Sequence, residues 1–133
     1  VIDGYLVEGM APRGLELVVG GRRDPHWGPV LMVGLGGVWI EALKDVRLTP
    51  ADMPVALIEA EIDQLRARVL LDGYRGAPPI DKKALAQAVA SIGDLMRAHP
   101  EIAEIEVNPL VAYGAGEAPL ALDALIVVDG SAA

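Results

Sequence analysis

The hydrophobic period of this chain changes twice. Up to Leu48, apolar residues come in short β-branched runs cut by glycine and proline. From Pro54 they recur as Val55, Ile58, Ile62, Leu65 and Val69, at alternating spacings of three and four. After His99-Pro100 the short runs return. A 3.6-residue period requires a helix with one apolar stripe, whereas short runs bounded by turn residues require strands. The chain therefore has to combine a sheet with helices that cover it. That is the α+β class, an antiparallel sheet with two helices packed on it.

Four strands are expected before the first helix: residues 4–10, 15–23, 30–37 and 38–48. Short turns such as "DPHWGP", with two prolines and a glycine, join them into an antiparallel meander. The first helix starts at Pro54, a good first-turn residue, and runs through Val69. Residues 70–79 read as a loop. Asp81 can cap a second helix whose apolar face is Leu85, Ala88, Val89, Ile92, Leu95 and Met96. The runs "IAEIEVNPLVAY" and "APLALDALIVV" then flank "GAGE" as a hairpin. The whole of 1–133 is expected to be one domain, with 129–133 a disordered tail. With no Met at the start and a strand signal by Tyr5, the chain reads as a piece of a longer protein.

Composition narrows the function. With no phenylalanine, Leu, Ile, Val and Ala must fill the core. The absence of cysteine excludes disulfides and thiolate metal sites, and favours a cytoplasmic setting. No apolar run approaches the roughly 18–20 residues that span a bilayer, so no membrane role is expected. A net charge of -8 repels phosphate backbones and argues against nucleic acid as a partner. It leaves room for a single nucleotide, which a few cations and a metal can hold.

The chemistry concentrates in "AEIEVNPLVAY", an apolar strand that carries Glu106 and Asn108 and then Pro109. If "GAGE" is the centre of the turn, Tyr113 faces Ala118 and Asn108 faces Asp123. Opposed residues point the same way, with Cβ atoms about 4.5–5.5 Å apart. Glu106 shares the face of Asn108. Two carboxylates and an amide then converge, an oxygen set suited to Mg²⁺ or Mn²⁺. Pro109 fits a bulge or a strand edge. The competing reading makes Asn108-Pro109 a simple kink and Asp123 a solvated residue. A slip of one residue would also send Asp123 to the other face.

Other polar positions carry weaker signals. "GLGG" at 34–37 lacks the spacing and ending of a phosphate loop and reads as a turn. Glu8 and Glu16 are single carboxylates in strands. Lys44 and Asp45 read as a surface pair. Arg75 sits between glycines in "DGYRG", where it could reach a phosphate or simply be a loop arginine. His26 and His99 have no serine, cysteine or second histidine placed beside them for nucleophilic catalysis.

Taken together, "YLVEGM", "RRDPHWGPVLMVGLGGVWIEALKDV", "LLDGYRGAPP", "EVNPL" and the "LD" at Leu122-Asp123 resemble one family. It is the C-terminal part, the larger lobe, of the ATP-grasp domain of ADP-forming acyl-CoA synthetases. This group includes acetate–CoA ligase and is related to the β subunit of succinyl-CoA synthetase. The resemblance covers about residues 3–128. It implies ATP or ADP with Mg²⁺ as ligands, and it distributes roles. Glu8 is the hinge carboxylate at the adenine site, with the backbone of Gly9 and Met10 beside it. Glu16 lies near the ribose. "GLGG" and Glu41 lie near the phosphate end of the cleft. Asn108 and Asp123 are the metal-binding pair, and Glu106 faces a phosphohistidine loop.

The implied reaction is acyl-CoA + ADP + phosphate ⇌ carboxylate + CoA + ATP, through an acyl phosphate and a phosphohistidine. The resemblance also implies missing parts. A smaller lobe with a lysine and a glycine-rich loop would precede residue 1. The phosphorylated histidine would belong to a CoA-ligase domain, beside a CoA-binding domain, and neither His26 nor His99 stands in its motif. The piece alone is expected to be inactive. Surface left bare by the missing partners is compatible with an oligomer. Two alternatives are a regulatory or protein-binding relative with a decayed nucleotide site, and the lobe of an ATP-grasp carboxylate–amine ligase.

Overall fold

A computed structural model of the protein describes residues 1–37 and 43–129. The elements run β1 (Leu15–Asp24), β2 (Gly28–Leu35), β3 (Val46–Pro50), α1 (Val55–Ile62), α2 (Arg68–Leu71), α3 (Lys82–Ala98), β4 (Ile102–Ala112), β5 (Leu120–Ala121) and β6 (Ala124–Val128). All strand pairs are antiparallel. The sheet order is β3-β2-β1-β4-β5, with β6 also on β4. The expected α+β architecture is present, with β4 returning after the helices to lie beside β1.

Strand alternation divides the sheet into two faces. Leu17 and Val19 of β1, Leu31, Val33 and Leu35 of β2, and Val107 and Leu110 of β4 pack into one core cluster with Ile58, Ile62, Leu85 and Val89 of the helices. Each such side chain contributes roughly 1.5–3 kcal/mol relative to exposure. The described helices pack on this face. Arg23, next to the last residue of β1, lies on the same side, donating to the carbonyls of Met96, His99 and Ile102 and so holding the end of α3.

The structure corrects several sequence expectations. Residues 4–10 form no strand; they are exposed and pair with nothing among the described residues. A lone apolar run has no sheet edge here to satisfy its backbone. Of the expected strand at 38–48, only Val46–Leu48 is strand; it continues to Pro50 as β3, and 38–42 lie outside the described residues. The helix expected from Val55 through Val69 breaks after Ile62. Asp45 is the cause. Its carboxylate accepts the backbone N–H of Arg66 at 2.9 Å and of Ala67 at 2.8 Å, groups a continuous helix would have used. Asp45 is thus buried, at 7 % exposure, rather than half of a surface pair with Lys44. Past the break, Leu71 is buried and Val69 is exposed.

Asp81 caps α3 as expected, accepting from the Ala84 N–H at 2.9 Å, and it also accepts from Gly116 N–H at 3.0 Å. Those two bonds hold its carboxyl below the ordinary carboxylate range, the Ala84 bond most strongly. Leu95 is exposed, and Ala86 and Gly93 take its place on the buried face of α3. The strand expected over 118–128 is split into β5 and β6 around Leu122-Asp123. Asp129, expected in the tail, donates its N–H to the Glu101 carbonyl at 2.9 Å; 130–133 lie outside the described residues.

Candidate functional site on the open face of the sheet

The face away from the helices carries the polar residues. On β1 it presents Glu16, Val18, Gly20 and Arg22, the alternates of Leu17 and Val19. On β4, Glu106 pairs with Gly20 and Glu104 with Arg22, so both glutamates lie on that face.

The hairpin register settles the position of Asn108. Leu110 pairs with Ala121, Val107 with Ala124 and Glu106 with Leu125. Between them the Asn108 N–H donates to the Asp123 carbonyl at 3.1 Å, and the Leu122 N–H to the Pro109 carbonyl at 3.1 Å. Asn108 therefore stands opposite Asp123, as the turn-centred count predicts, and no slip occurs. Both lie on the face of Glu106 by alternation along β4.

The other edge of β4 explains Pro109. Leu17 pairs with Leu110 but Val19 pairs with Val107, so Asn108 and Pro109 together oppose the single residue Val18. This is a β-bulge. A residue without an N–H fits there because the ladder is interrupted. The Asn108–Pro109 peptide is cis. The proline that looked out of place in an apolar strand thus marks the spot where the strand bends beside the polar cluster.

"GLGG" meets Glu16. The Gly36 N–H donates to the Glu16 carbonyl at 3.1 Å. Gly37 adopts φ 66°, a left-handed conformation that suits glycine, and a Cβ there would lie 3.5 Å from the Glu16 carboxylate. The glycine run therefore ends beside that side chain. Glu41 lies outside the described residues.

The structure does not bring every expected residue to this face. Glu8, Gly9 and Met10 lie in exposed chain without regular structure, and a Cβ at Gly9 would meet nothing within 4 Å. Near the end of that segment the Tyr113 hydroxyl donates to the Pro12 carbonyl at 3.1 Å. Arg75 has φ 50° and stacks over the Tyr74 ring at 5.4 Å in an exposed loop. His99 pairs with Glu101, and His26 stands in the β1–β2 turn near Asp24.

Sequence reasoning missed a groove of about 690 Å³ that extends past Glu106 along the same face. Its lining includes Arg22, Trp27, Met32, Leu48 and Glu104. The signal was present, since Arg22 shares parity with Glu16 and an aromatic stands in the "DPHWGP" turn. The turn residues overshadowed both.

The donor set fits a hard divalent cation. Asn108 and Asp123 offer an amide and a carboxylate oxygen, with Glu106 on the same face. Among the described residues no group of three or more His, Cys, Asp or Glu forms a closed metal cage. Two protein oxygens suit Mg²⁺, which keeps waters and takes its remaining ligands from substrate phosphates.

A family model described as an ATP-grasp domain matches residues 1–128. A trans-feruloyl-CoA synthase of unknown prokaryotic origin is 44% identical over 128 residues, covering 96% of this chain and 18% of that protein. The β subunit of an ADP-forming acetate–CoA ligase of Pyrococcus furiosus is 39% identical over 127 residues, 94% of this chain and 53% of the subunit. The chain thus spans from under a fifth to about half the length of these relatives. Among solved structures, acetyl-coenzyme A synthetase 1 of Ca. Korarchaeum cryptofilum matches with a TM-score of 0.83 and 38% identity, over 90% of this chain and 55% of that one. It was solved with coenzyme A and Mg-AMPPCP, its phosphohistidine segment pointing towards the nucleotide binding site. With the family model matched over almost its entire length and an antiparallel sheet covered by helices on the face opposite Glu106, this chain belongs to the ATP-grasp family.

Proposed function

We propose that the chain is the nucleotide-binding lobe of an ADP-forming acyl-CoA synthetase, working with a smaller ATP-grasp lobe and with CoA-binding and CoA-ligase domains. The observation that carries this reading is the gathering of Glu16, Glu106, Asn108 and Asp123 on the sheet face opposite the described helices. In this reading Glu8, Gly9 and Met10 meet the adenine once the smaller lobe packs against their segment, and Glu16 meets the ribose. Glu41 serves the phosphate end. Asn108 and Asp123 hold Mg²⁺, which screens the negative charge of the nucleotide phosphates when bound. Glu106 orients the histidine of the CoA-ligase domain.

Phosphoryl transfer asks the protein for positioning and charge balance more than covalent work. The P–N bond to the histidine breaks, a P–O bond to the terminal oxygen of ADP forms, and the electron pair returns to the imidazole nitrogen. Glu106 would hold the ring in line and balance the positive charge of a protonated imidazole. The chain alone binds nucleotide weakly and turns nothing over, because the histidine and half of the cleft come from elsewhere.

The test is phosphohistidine formation from radiolabelled ATP in the full-length enzyme. Wild type should incorporate acid-labile label, and Glu106→Gln should lose most of the rate while keeping nucleotide affinity. A wild type that binds ATP without labelling any histidine would sink the reading.

A further inference from the structure

A second concavity lies on the side of the sheet away from Glu106. Leu15 and Ala112 pair where β1 begins and β4 ends, and both pack with the helix-covered core. Beyond them a cavity of about 420 Å³ opens between three stretches of chain, 12–14, 74–78 and 113–117. Its floor is apolar, from Leu15, Leu70 and Ile80, and Tyr74 and Tyr113 line it as well.

The walls are stapled to one another. The Asp81 N–H donates to the Tyr113 carbonyl at 2.8 Å, and the Asp81 carboxylate accepts from the Gly116 N–H at 3.0 Å. The Tyr113 hydroxyl donates to the Pro12 carbonyl at 3.1 Å. A Cβ at Gly14 would lie 2.9 Å from the Tyr113 ring, so only glycine lets that ring approach so closely. On the other wall, the Arg75 guanidinium stacks over the Tyr74 ring at 5.4 Å. An apolar cavity of this size with a few polar groups at its rim is the general form of a small-ligand site.

The rim charges define the ligand. Arg13 lines one wall and the Glu117 side chain another. Among the described residues neither takes part in an ion pair, so they do not neutralise each other across the cavity. A simple carboxylate on Arg13 would meet the like charge of Glu117, and a simple amine on Glu117 would meet Arg13. A molecule that carries both charges on one carbon, with an apolar body, satisfies the guanidinium, the carboxylate and the floor together.

We propose that this cavity binds an apolar α-amino acid. Its carboxylate meets Arg13, its ammonium meets Glu117, and its side chain lies over Leu15, Leu70 and Ile80 beside the two tyrosine rings. The sheet separates this site from the face of Glu106, and the phosphoryl transfer proposed above makes no use of it.

Calorimetric titration of the full-length enzyme with L-phenylalanine tests the site. Arg13→Gln should weaken binding by about fivefold or more, the loss of one charge-assisted hydrogen bond at a solvent-open rim. Glu117→Gln should do the same. Both side chains are exposed, so the variants should fold as wild type does. Arg97→Gln, whose partner is Asp94 on the exposed side of α3, should bind like wild type. Phenylpropionate, which lacks the ammonium, should not be weakened by Glu117→Gln. L-phenylalanine that fails to bind wild type at about 10 mM, or that binds both rim variants as it binds wild type, overturns the proposal. Phenylpropionate that binds more tightly than L-phenylalanine and depends on Arg13 assigns the cavity to simple acids and overturns it as well.

Discussion

The backbone N–H of Asn108 donates to the carbonyl of Asp123, 3.1 Å away, across a hairpin whose pairing runs unbroken from Glu104 to Asn108. That bond fixes the two side chains as neighbours on one face. If they form a metal-binding pair, Asp123→Ala removes its only charged member. Mn²⁺ affinity in the presence of ADP should then fall by roughly tenfold or more, a loss of about 1.4 kcal/mol or greater. Asn108→Ala should have a similar effect. Mn²⁺ binding followed by electron paramagnetic resonance reads this directly, with Asp94→Ala on the solvent side of α3 as a control. Equal affinity in all variants removes the metal assignment.

Asp45 makes a prediction about stability. Its buried carboxylate satisfies the N–H groups of Arg66 and Ala67 where the chain turns between α1 and α2. Asp45→Ala leaves both donors without that partner in a part-buried setting that water can reach. The expected cost is about 1–3 kcal/mol in all, since water offsets part of each lost bond. Urea unfolding of the variant should show a lower midpoint with an unchanged slope. A midpoint equal to wild type would mean that the turn holds itself.

How far the sequence could be read follows from these two residues. The Asn108–Asp123 pairing was legible because a hairpin has only one register once its turn is centred, and "GAGE" centred it. The role of Asp45 was not legible, because its partners lie 21 and 22 positions along the chain and no local pattern announces them. The same limit explains the helix through Val69. Periodicity saw a continuous stripe, while a distant carboxylate competed for the backbone. Residues 4–10 misled for a related reason: an apolar run specifies burial, and what buries it need not lie in the same chain segment. The bulge at Pro109 and the cap at Asp81 were legible because both are local chemistry.

Asp81 links the helix cap to acid stability. Its carboxyl is held below its ordinary value first by the Ala84 N–H and then by the Gly116 N–H. A group depressed on folding contributes stability that is present above its unfolded value, about pH 4, and lost as pH falls through the folded value. Unfolding free energy should therefore decline from about pH 4 downward. Asp81→Asn keeps an oxygen acceptor but cannot titrate, so its stability curve should be flatter over that window. Chemical unfolding at a series of acidic pH values compares the two slopes. Parallel curves would show that other carboxylates govern the acid limb.

Gly20 tests whether the floor beside Glu106 matters in its own right. Its pairing partner is Glu106, and a Cβ on Gly20 would collide with the carbonyl of Ile105, a backbone atom that cannot swing aside. Gly20→Ala should cost about 1–3 kcal/mol through overpacking. It should also push β4 outward at Ile105 and Glu106, away from the position that faces the groove. Asn108 and Asp123 sit beyond the next residue, on the far side of Val107, where the bulge can absorb the shift. ADP–Mn²⁺ binding should thus survive while transfer to the histidine falls, an effect distinct from a general loss of folding. Thermal unfolding, nucleotide titration and label transfer on one preparation separate the three quantities. If binding and transfer fall together, the strand moves as a rigid unit and the bulge does not insulate the metal pair.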